Sequence, residues 1–227
     1  MIFFVTGTDT EVGKTRVTAG LLDAARQQGM SSLGLKPIAA GCELTPDGWH
    51  NEDALALMAA SSLKLNYAEV NPIALQPPIA PHIAAAEAGQ TITVERLRAA
   101  MPRAAMADAG LCLVEGAGGW RLPIGAGGTL PDWVSREGWP VILVVGMKLG
   151  CLNHALLTAE AIRADGLKLA GWIANRVDPD MSRYQDNLAT LQSMLAAPML
   201  AEVPYLGSDE TACAHLAQAV QTLTTGG

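Results

Sequence analysis

Charge is scarce in this chain. Only 16% of its 227 residues are Asp, Glu, Lys or Arg, against about a quarter in an average soluble domain. Half are apolar, which excludes intrinsic disorder and implies extensive burial, between subunits as well as within one. Acidic residues outnumber basic ones 22 to 15, for a net charge of −7, and no basic stripe is visible. A nucleic-acid backbone is therefore not the expected partner. Cysteine is scarce too. Cys42, Cys112, Cys151 and Cys213 lie far apart and form no Cys-x-x-Cys pair, so neither a disulfide framework nor a zinc knuckle is expected. Reduced thiols in a cytoplasmic protein fit this usage. His50, His82, His154 and His215 are equally scattered. No apolar run approaches the ~20 residues of a membrane-spanning helix, so no membrane partner is expected. The opening residues Met1 to Val5 have neither the basic start nor the length of a signal peptide.

What is present is alternation. Short apolar runs occupy residues 2–5, 33–38, 111–114, 141–145, 169–174 and 199–203. They are continuous rather than period-two, as in strands buried on both faces of a parallel sheet. Between them lie stretches at helical spacing. Val17, Leu21 and Ala25 share one face, stopped by Gly29. Leu152, Leu156, Ala159 and Ile162 share another, closed by Gly166; Cys213, Leu216, Val220 and Leu223 share a third. Residues 94–107 also read as one helix, with Pro102 inside it as a weak point. The β-α-β-α order predicts an α/β fold: a three-layer, doubly wound, mostly parallel sheet with helices on both faces. No repeat or linker interrupts it, so residues 1–227 are expected to form one domain. Ligands of such sheets bind at the carboxyl ends of the strands, and every run above ends in glycine, a polar side chain or proline.

The first run enters Gly7-Thr8-Asp9-Thr10-Glu11-Val12-Gly13-Lys14-Thr15. This resembles the Walker A phosphate loop, with five residues rather than four between the glycines and Thr8 where the first glycine usually stands. The physical requirements hold. A strand delivers a loop whose N–H groups can face inward, and the loop opens a helix whose positive end favours phosphate. Lys14 supplies a cation for the outer phosphates, and the Thr15 hydroxyl can ligate magnesium. Magnesium prefers oxygen ligands, and Glu115, at the end of a buried run, is placed to supply one. Gly116, Ala117 and Gly118 behind it allow close approach of a phosphate or substrate. Asp53 is a second candidate ligand, although from position alone helix capping or first-turn dipole complementation accounts for it better. Asn175 ends another buried run. With Pro204, Tyr205 and Leu206 after the next, it would frame a nucleotide base, an amide for the polar edge and an apolar wall for the face.

Taken together, Thr6 to Thr15, Leu35-Lys36-Pro37, Asn51-Glu52-Asp53, Val114 to Trp120, Val144 to His154 and Gly171 to Asn175 resemble the dethiobiotin synthetase family, with its P-loop NTPase-like fold. The match is colinear over nearly the whole chain; residues 60–110 and the last 20 are least distinctive. The resemblance implies a ligase of biotin biosynthesis. It joins carbon dioxide (or bicarbonate) to 7,8-diaminononanoate at the expense of ATP and closes the cyclic urea dethiobiotin, releasing ADP and phosphate. It implies Mg2+ held by Thr15, Asp53 and Glu115. It makes Lys36 the catalytic lysine facing the carbamate, beside Lys14 and Thr10. ATP would be bound by Glu11, Val12, Gly13, Lys14, Thr15, Arg16, Asp53, Glu115, Gly116, Ala117, Gly118, Asn175, Pro204, Tyr205, Leu206 and Glu210, with Glu210 toward the ribose. The substrate would be bound by Thr10, Lys36 and Ala40, and by Gly150 and Asn153 at a helix start contributed by the neighbouring subunit of a homodimer. Helix capping by Asn153 is the alternative reading there.

Two positions depart from the family. Ala40 stands where a serine hydroxyl is common. Where a carboxylate-binding tyrosine is common, counting places Asn187, with Tyr184 nearby. Two other P-loop classes compete. A partitioning or cell-division ATPase switch carries a lysine five residues before the Gly-Lys lysine, where this chain has Asp9. An amide ligase would need a glutamine-cleaving domain for which 227 residues leave no room. A regulatory nucleotide-binding module would bind nucleotide without consuming it in response to the diamine.

Overall fold

The computed structural model describes residues 1–125, 128–207 and 210–225. The chain begins β1 (Ile2–Gly7), α1 (Lys14–Gln27), β2 (Ser32–Leu35), β3 (Ile38–Ala40), β4 (Glu43–Thr45), β5 (Gly48–His50), α2 (Glu52–Ala60) and α3 (Tyr67–Val70). It continues through β6 (Ile73–Leu75), α4 (Pro81–Glu87), α5 (Val94–Ala100), α6 (Arg103–Asp108), β7 (Leu111–Gly119), β8 (Pro123–Gly125) and β9 (Gly128–Thr129). It ends with α7 (Leu130–Glu137), β10 (Val141–Met147), α8 (Cys151–Ala164), β11 (Leu169–Arg176), α9 (Tyr184–Met194), β12 (Met199–Val203) and α10 (Cys213–Thr225).

Each of the six expected runs contributes a strand to one parallel sheet in the order β12-β11-β10-β1-β7-β2. Every strand of this sheet except the edge strand β12, which exposes Glu202, buries both faces. Phe3 and Val5 of β1 pack with α1, α2 and α10, while Phe4 points the other way, into a core with Trp120 and Trp133. Leu143, Val145 and Trp172 meet α8 and α9 on that second side. The fold is thus the expected three-layer α/β sandwich, and continuous apolarity in the strands reflects helices on both faces.

Three expectations need correction. The 33–38 run is two strands. Pro37 has no N–H to donate, the Lys36 N–H leaves the ladder for the Val70 carbonyl at 3.0 Å, and the chain re-enters a separate two-stranded sheet as β3 paired with β6. The expected 94–107 helix is broken at Pro102 into α5 and α6. On α8 the buried stripe is Cys151, Ala155, Ala159 and Ile162; Leu152 and Leu156 are only half-buried. Gly29 and Gly166 follow their helices at φ 76° and 77°, as a glycine stop requires. All four cysteines are buried free thiols, as their spacing suggested.

Candidate active site

The sheet order puts β1 between β10 and β7, so their carboxyl ends converge on the phosphate loop. Thr8 explains the absent glycine. Its N–H donates to the Val144 carbonyl at 3.0 Å and its hydroxyl accepts from the Gly146 N–H at 3.3 Å, tying the loop to β10. Val12 is fully buried, so only its main chain is left to face a ligand. Asn175 Nδ2 donates to the Val12 carbonyl at 2.8 Å, holding the loop from the β11 side. Glu11 and Gly13 have φ of 57° and 81°, the left-handed turns that aim successive N–H groups at one point. Gly13 caps α1 without any side-chain bond, so the first N–H groups of that helix remain free for an anion. Thr10 and Glu11 are exposed at the loop tip, and the Thr10 N–H is held by Asp9 Oδ1 at 2.8 Å.

Lys14 is 7% exposed and donates to the Asp9 carbonyl at 2.9 Å. Burial first, and then the nearby Lys36 ammonium, push its pKa down to about 8, against the pull of Glu115, Asp53 and Asp9. Lys36, just past β2, is 3% exposed. Its ammonium donates to Glu115 Oε1 at 2.6 Å, Asp53 Oδ2 at 2.8 Å and the Gly116 carbonyl at 3.2 Å. Burial works to discharge it, but Glu115 and Asp53 outweigh burial and hold its pKa above the ordinary lysine value. For Asp53 burial acts to raise the carboxyl, and the Lys36 ammonium outweighs it, leaving the pKa below normal. Both ammonium groups therefore feel the same pair of carboxylates, Lys36 by direct contact and Lys14 through its field.

Thr15 Oγ1 donates to Glu115 Oε1 at 2.8 Å. Glu115 Oε2 is buried with no hydrogen-bond partner. A hydroxyl and two carboxylates around an unsatisfied buried oxygen form an all-oxygen donor set that suits magnesium. Among the described residues no group of three His, Cys, Asp or Glu side chains forms another candidate metal site. Asp53 sits in the first turn of α2, but the cap is Asn51, whose Oδ1 accepts from the Asp53 and Ala54 N–H groups at 3.1 and 3.3 Å. The Asp53 carboxylate is thereby released from capping to face Lys36.

Where a base was expected, β12 leads into Pro204, Tyr205 and Leu206, with Tyr205 53% exposed. Arg16 reaches across from α1 to the Leu206 and Gly207 carbonyls at 2.8 and 3.2 Å, and Glu210 Oε2 accepts from the Gly207 N–H at 2.7 Å. Arg16 thus braces the loop that follows β12. The Ala40 carbonyl accepts from Asn51 Nδ2 at 3.3 Å. Gly150 caps α8 at φ 95° with no side-chain bond, so Asn153, exposed in the first turn, is not the cap. Tyr184 lies in the core against α8 with Arg176 over its ring, and Asn187 donates to the Arg183 carbonyl at 2.9 Å. The sequence reading missed Tyr67 and Asn71, which hold Asn51 and the Lys36 main chain; their only signal was two polar residues closing a short segment between apolar ones.

Residues 2–210 match a family described as an AAA domain. ATP-dependent dethiobiotin synthetase BioD of Pseudomonas paraeruginosa is 55% identical over 94% of this chain and 95% of its own. The enzyme of that name from Cellvibrio japonicus is 53% identical over 94% of each chain. The chain belongs to the dethiobiotin synthetase family. Among solved structures, it resembles the MinD cell division protein of Aquifex aeolicus at a TM-score of 0.60 and 14% identity, covering 98% of this chain and 95% of that one. A ParA family ATPase of Chlorobium tepidum gives 0.56 and 16%, covering 98% and 96%. At such identities the likeness is of fold: a P-loop NTPase core.

Proposed function

We propose that residues 1–227 act as one unit that closes the ureido ring of dethiobiotin from 7,8-diaminononanoate and carbon dioxide with ATP, in the cytoplasm, as a homodimer. The observation that carries this reading is the cluster in which Thr15 and Lys36 share Glu115, Lys36 also meets Asp53, and Lys14 lies within their field. Family membership at 53–55% identity supports it.

One amine of the diamine combines with carbon dioxide, losing a proton, to give a carbamate. A carbamate oxygen attacks the terminal phosphorus of ATP, the bond to ADP breaks, and a carbamic–phosphoric anhydride forms. The second amine attacks the carbonyl, loses a proton and expels phosphate, closing the cyclic urea. The carbamate is already an anionic nucleophile, so no activated serine or cysteine is needed, and positioning with charge neutralisation suffices. Lys14 and the N–H groups of the loop orient the phosphates. Lys36 supplies positive charge at the acceptor. Thr15, Asp53 and Glu115 would hold magnesium, which when bound neutralises charge on the transferring phosphoryl group. None of the described helices is long and apolar enough to cross a membrane.

The test is direct. Purified protein with ATP, magnesium, bicarbonate and the diamine is expected to release phosphate and form a product with the mass of dethiobiotin. ATP hydrolysis indifferent to the diamine would overturn the assignment and favour a nucleotide-gated switch.

A further inference from the structure

Lys36 and Asp53 meet at 2.8 Å, yet they stand on separate elements, one after β2 and one in α2. A closed circuit of hydrogen bonds joins their main chains. The Tyr67 hydroxyl accepts from the Asn51 N–H at 2.7 Å and donates to Asn71 Oδ1 at 2.8 Å. Asn71 Nδ2 donates to the Lys36 carbonyl, and Asn51 caps the turn of α2 that carries Asp53. Asn51 and Asn71 are 6% and 2% exposed, so neither can exchange its partner for bulk water. The Tyr67 ring stacks on His50, with centroids 4.0 Å apart.

We propose that Tyr67 is a positioning residue whose hydroxyl sets the separation of Lys36 and Asp53, and hence where the acceptor and the divalent cation sit relative to each other. The inference rests on the function proposed above. The oxygen is the one atom that belongs to both arms of the circuit. The arm to Asn51 fixes α2, and the arm through Asn71 fixes the strand end. Groups that orient a ligand-bearing side chain from behind typically cost about 10–100-fold in metal affinity or activity when removed.

Tyr67→Phe deletes that oxygen and keeps the ring, leaving the Asn51 N–H and Asn71 Oδ1 buried without the hydroxyl each bonds. The variant is expected to lower kcat about tenfold, and to raise about tenfold the magnesium concentration that half-maximally increases the thermal midpoint of the ADP complex. The metal-free ADP Kd should stay within about twofold, because the phosphate loop is untouched. His50→Ala, which removes the stack but no link of the circuit, should change kcat by less than about twofold. Unchanged kcat and magnesium response in Tyr67→Phe would overturn the proposal. So would a parallel loss of metal-free ADP affinity, unfolding at the assay temperature, or an equal effect of His50→Ala, each of which marks a general scaffold role. If the unaltered protein forms no dethiobiotin, the functional reading fails separately, and the magnesium response still decides the role of Tyr67.

Discussion

Lys36 is 3% exposed and fully engaged. A buried ammonium is tolerated only when opposite charge replaces water, and here two carboxylates do so at once. Removing one member of a buried pair leaves the other uncompensated, at a cost of about 3–5 kcal/mol. Lys36→Gln is therefore expected to lower the thermal midpoint in chelator, with magnesium restoring part of it, since the cation would lie against the same oxygens. In the same variant ring closure should fall at least about a hundredfold while the ADP Kd stays within a few-fold, because the charge acts at the acceptor. Steady-state rates and calorimetric titration separate the two effects. Loss of nucleotide affinity instead would place Lys36 on the phosphates.

Lys14 makes a different prediction, because its pKa is pushed down to about 8 by burial and by Lys36. Phosphate beside it favours the ammonium, so nucleotide binding must raise that pKa. At pH 8 the free lysine is half charged and the bound one fully charged, so binding should take up about half a proton. Below pH 7 uptake should vanish, and affinity should weaken as pH rises through 8. Titration calorimetry in buffers of different ionisation enthalpy reads the uptake. Lys14→Met should abolish it along with most of the affinity, and uptake persisting in that variant would assign it to another group.

At the scale of elements, the phosphate loop is seated by its neighbours as much as by its own sequence. A Cβ on Gly146 of β10 would lie 2.6 Å from Val12 Cγ1, 2.8 Å from its Cβ and 3.3 Å from its Cα. Because the backbone is among the atoms met, the loop itself has to move. Gly146→Ala is thus expected to cost about 1–3 kcal/mol, appearing as weaker ADP binding in a protein whose circular dichroism is unchanged. Full affinity would show that the loop yields freely. Gly146 was legible as a strand end, but its reason was not: the contact spans 134 residues and depends on β10 lying next to β1, an order that periodicity does not encode. The same limit explains the other corrections. Pro37 and Pro102 were visible in the sequence as breaks in the making. Whether a proline bends an element or divides it depends on what its neighbours bond instead, and for Lys36 that partner was Val70.

At the scale of the whole molecule, the strand runs, the phosphate loop and the acid after β7 were readable because each is local and stereotyped. The Tyr67 circuit was not, because it joins residues 36, 51, 67 and 71 through single hydrogen bonds with no periodic signature. The homodimer proposed above came only from family resemblance, and two surface facts bear on that proposal. Leu149 and Leu157 are 92% and 56% exposed on the same helix region as Asn153, an apolar exposure suited to a partner surface. No side chain caps the first turn of α8 behind Gly150, and a helix start of that kind suits a carboxylate. If that turn completes a neighbour's site, Lys36 and Asn153 of one chain serve different sites. Asn153→Ala alone should then raise the KM for the diamine about tenfold. Lys36→Gln and Asn153→Ala chains, co-expressed in equal amounts, should form hybrids in half of the dimers. Each hybrid regains one intact site, so about a quarter of all sites should recover at low diamine concentration. Activity no higher than the average of the two parents would show that each chain serves itself, and would leave the apolar face of α8 without a catalytic reason.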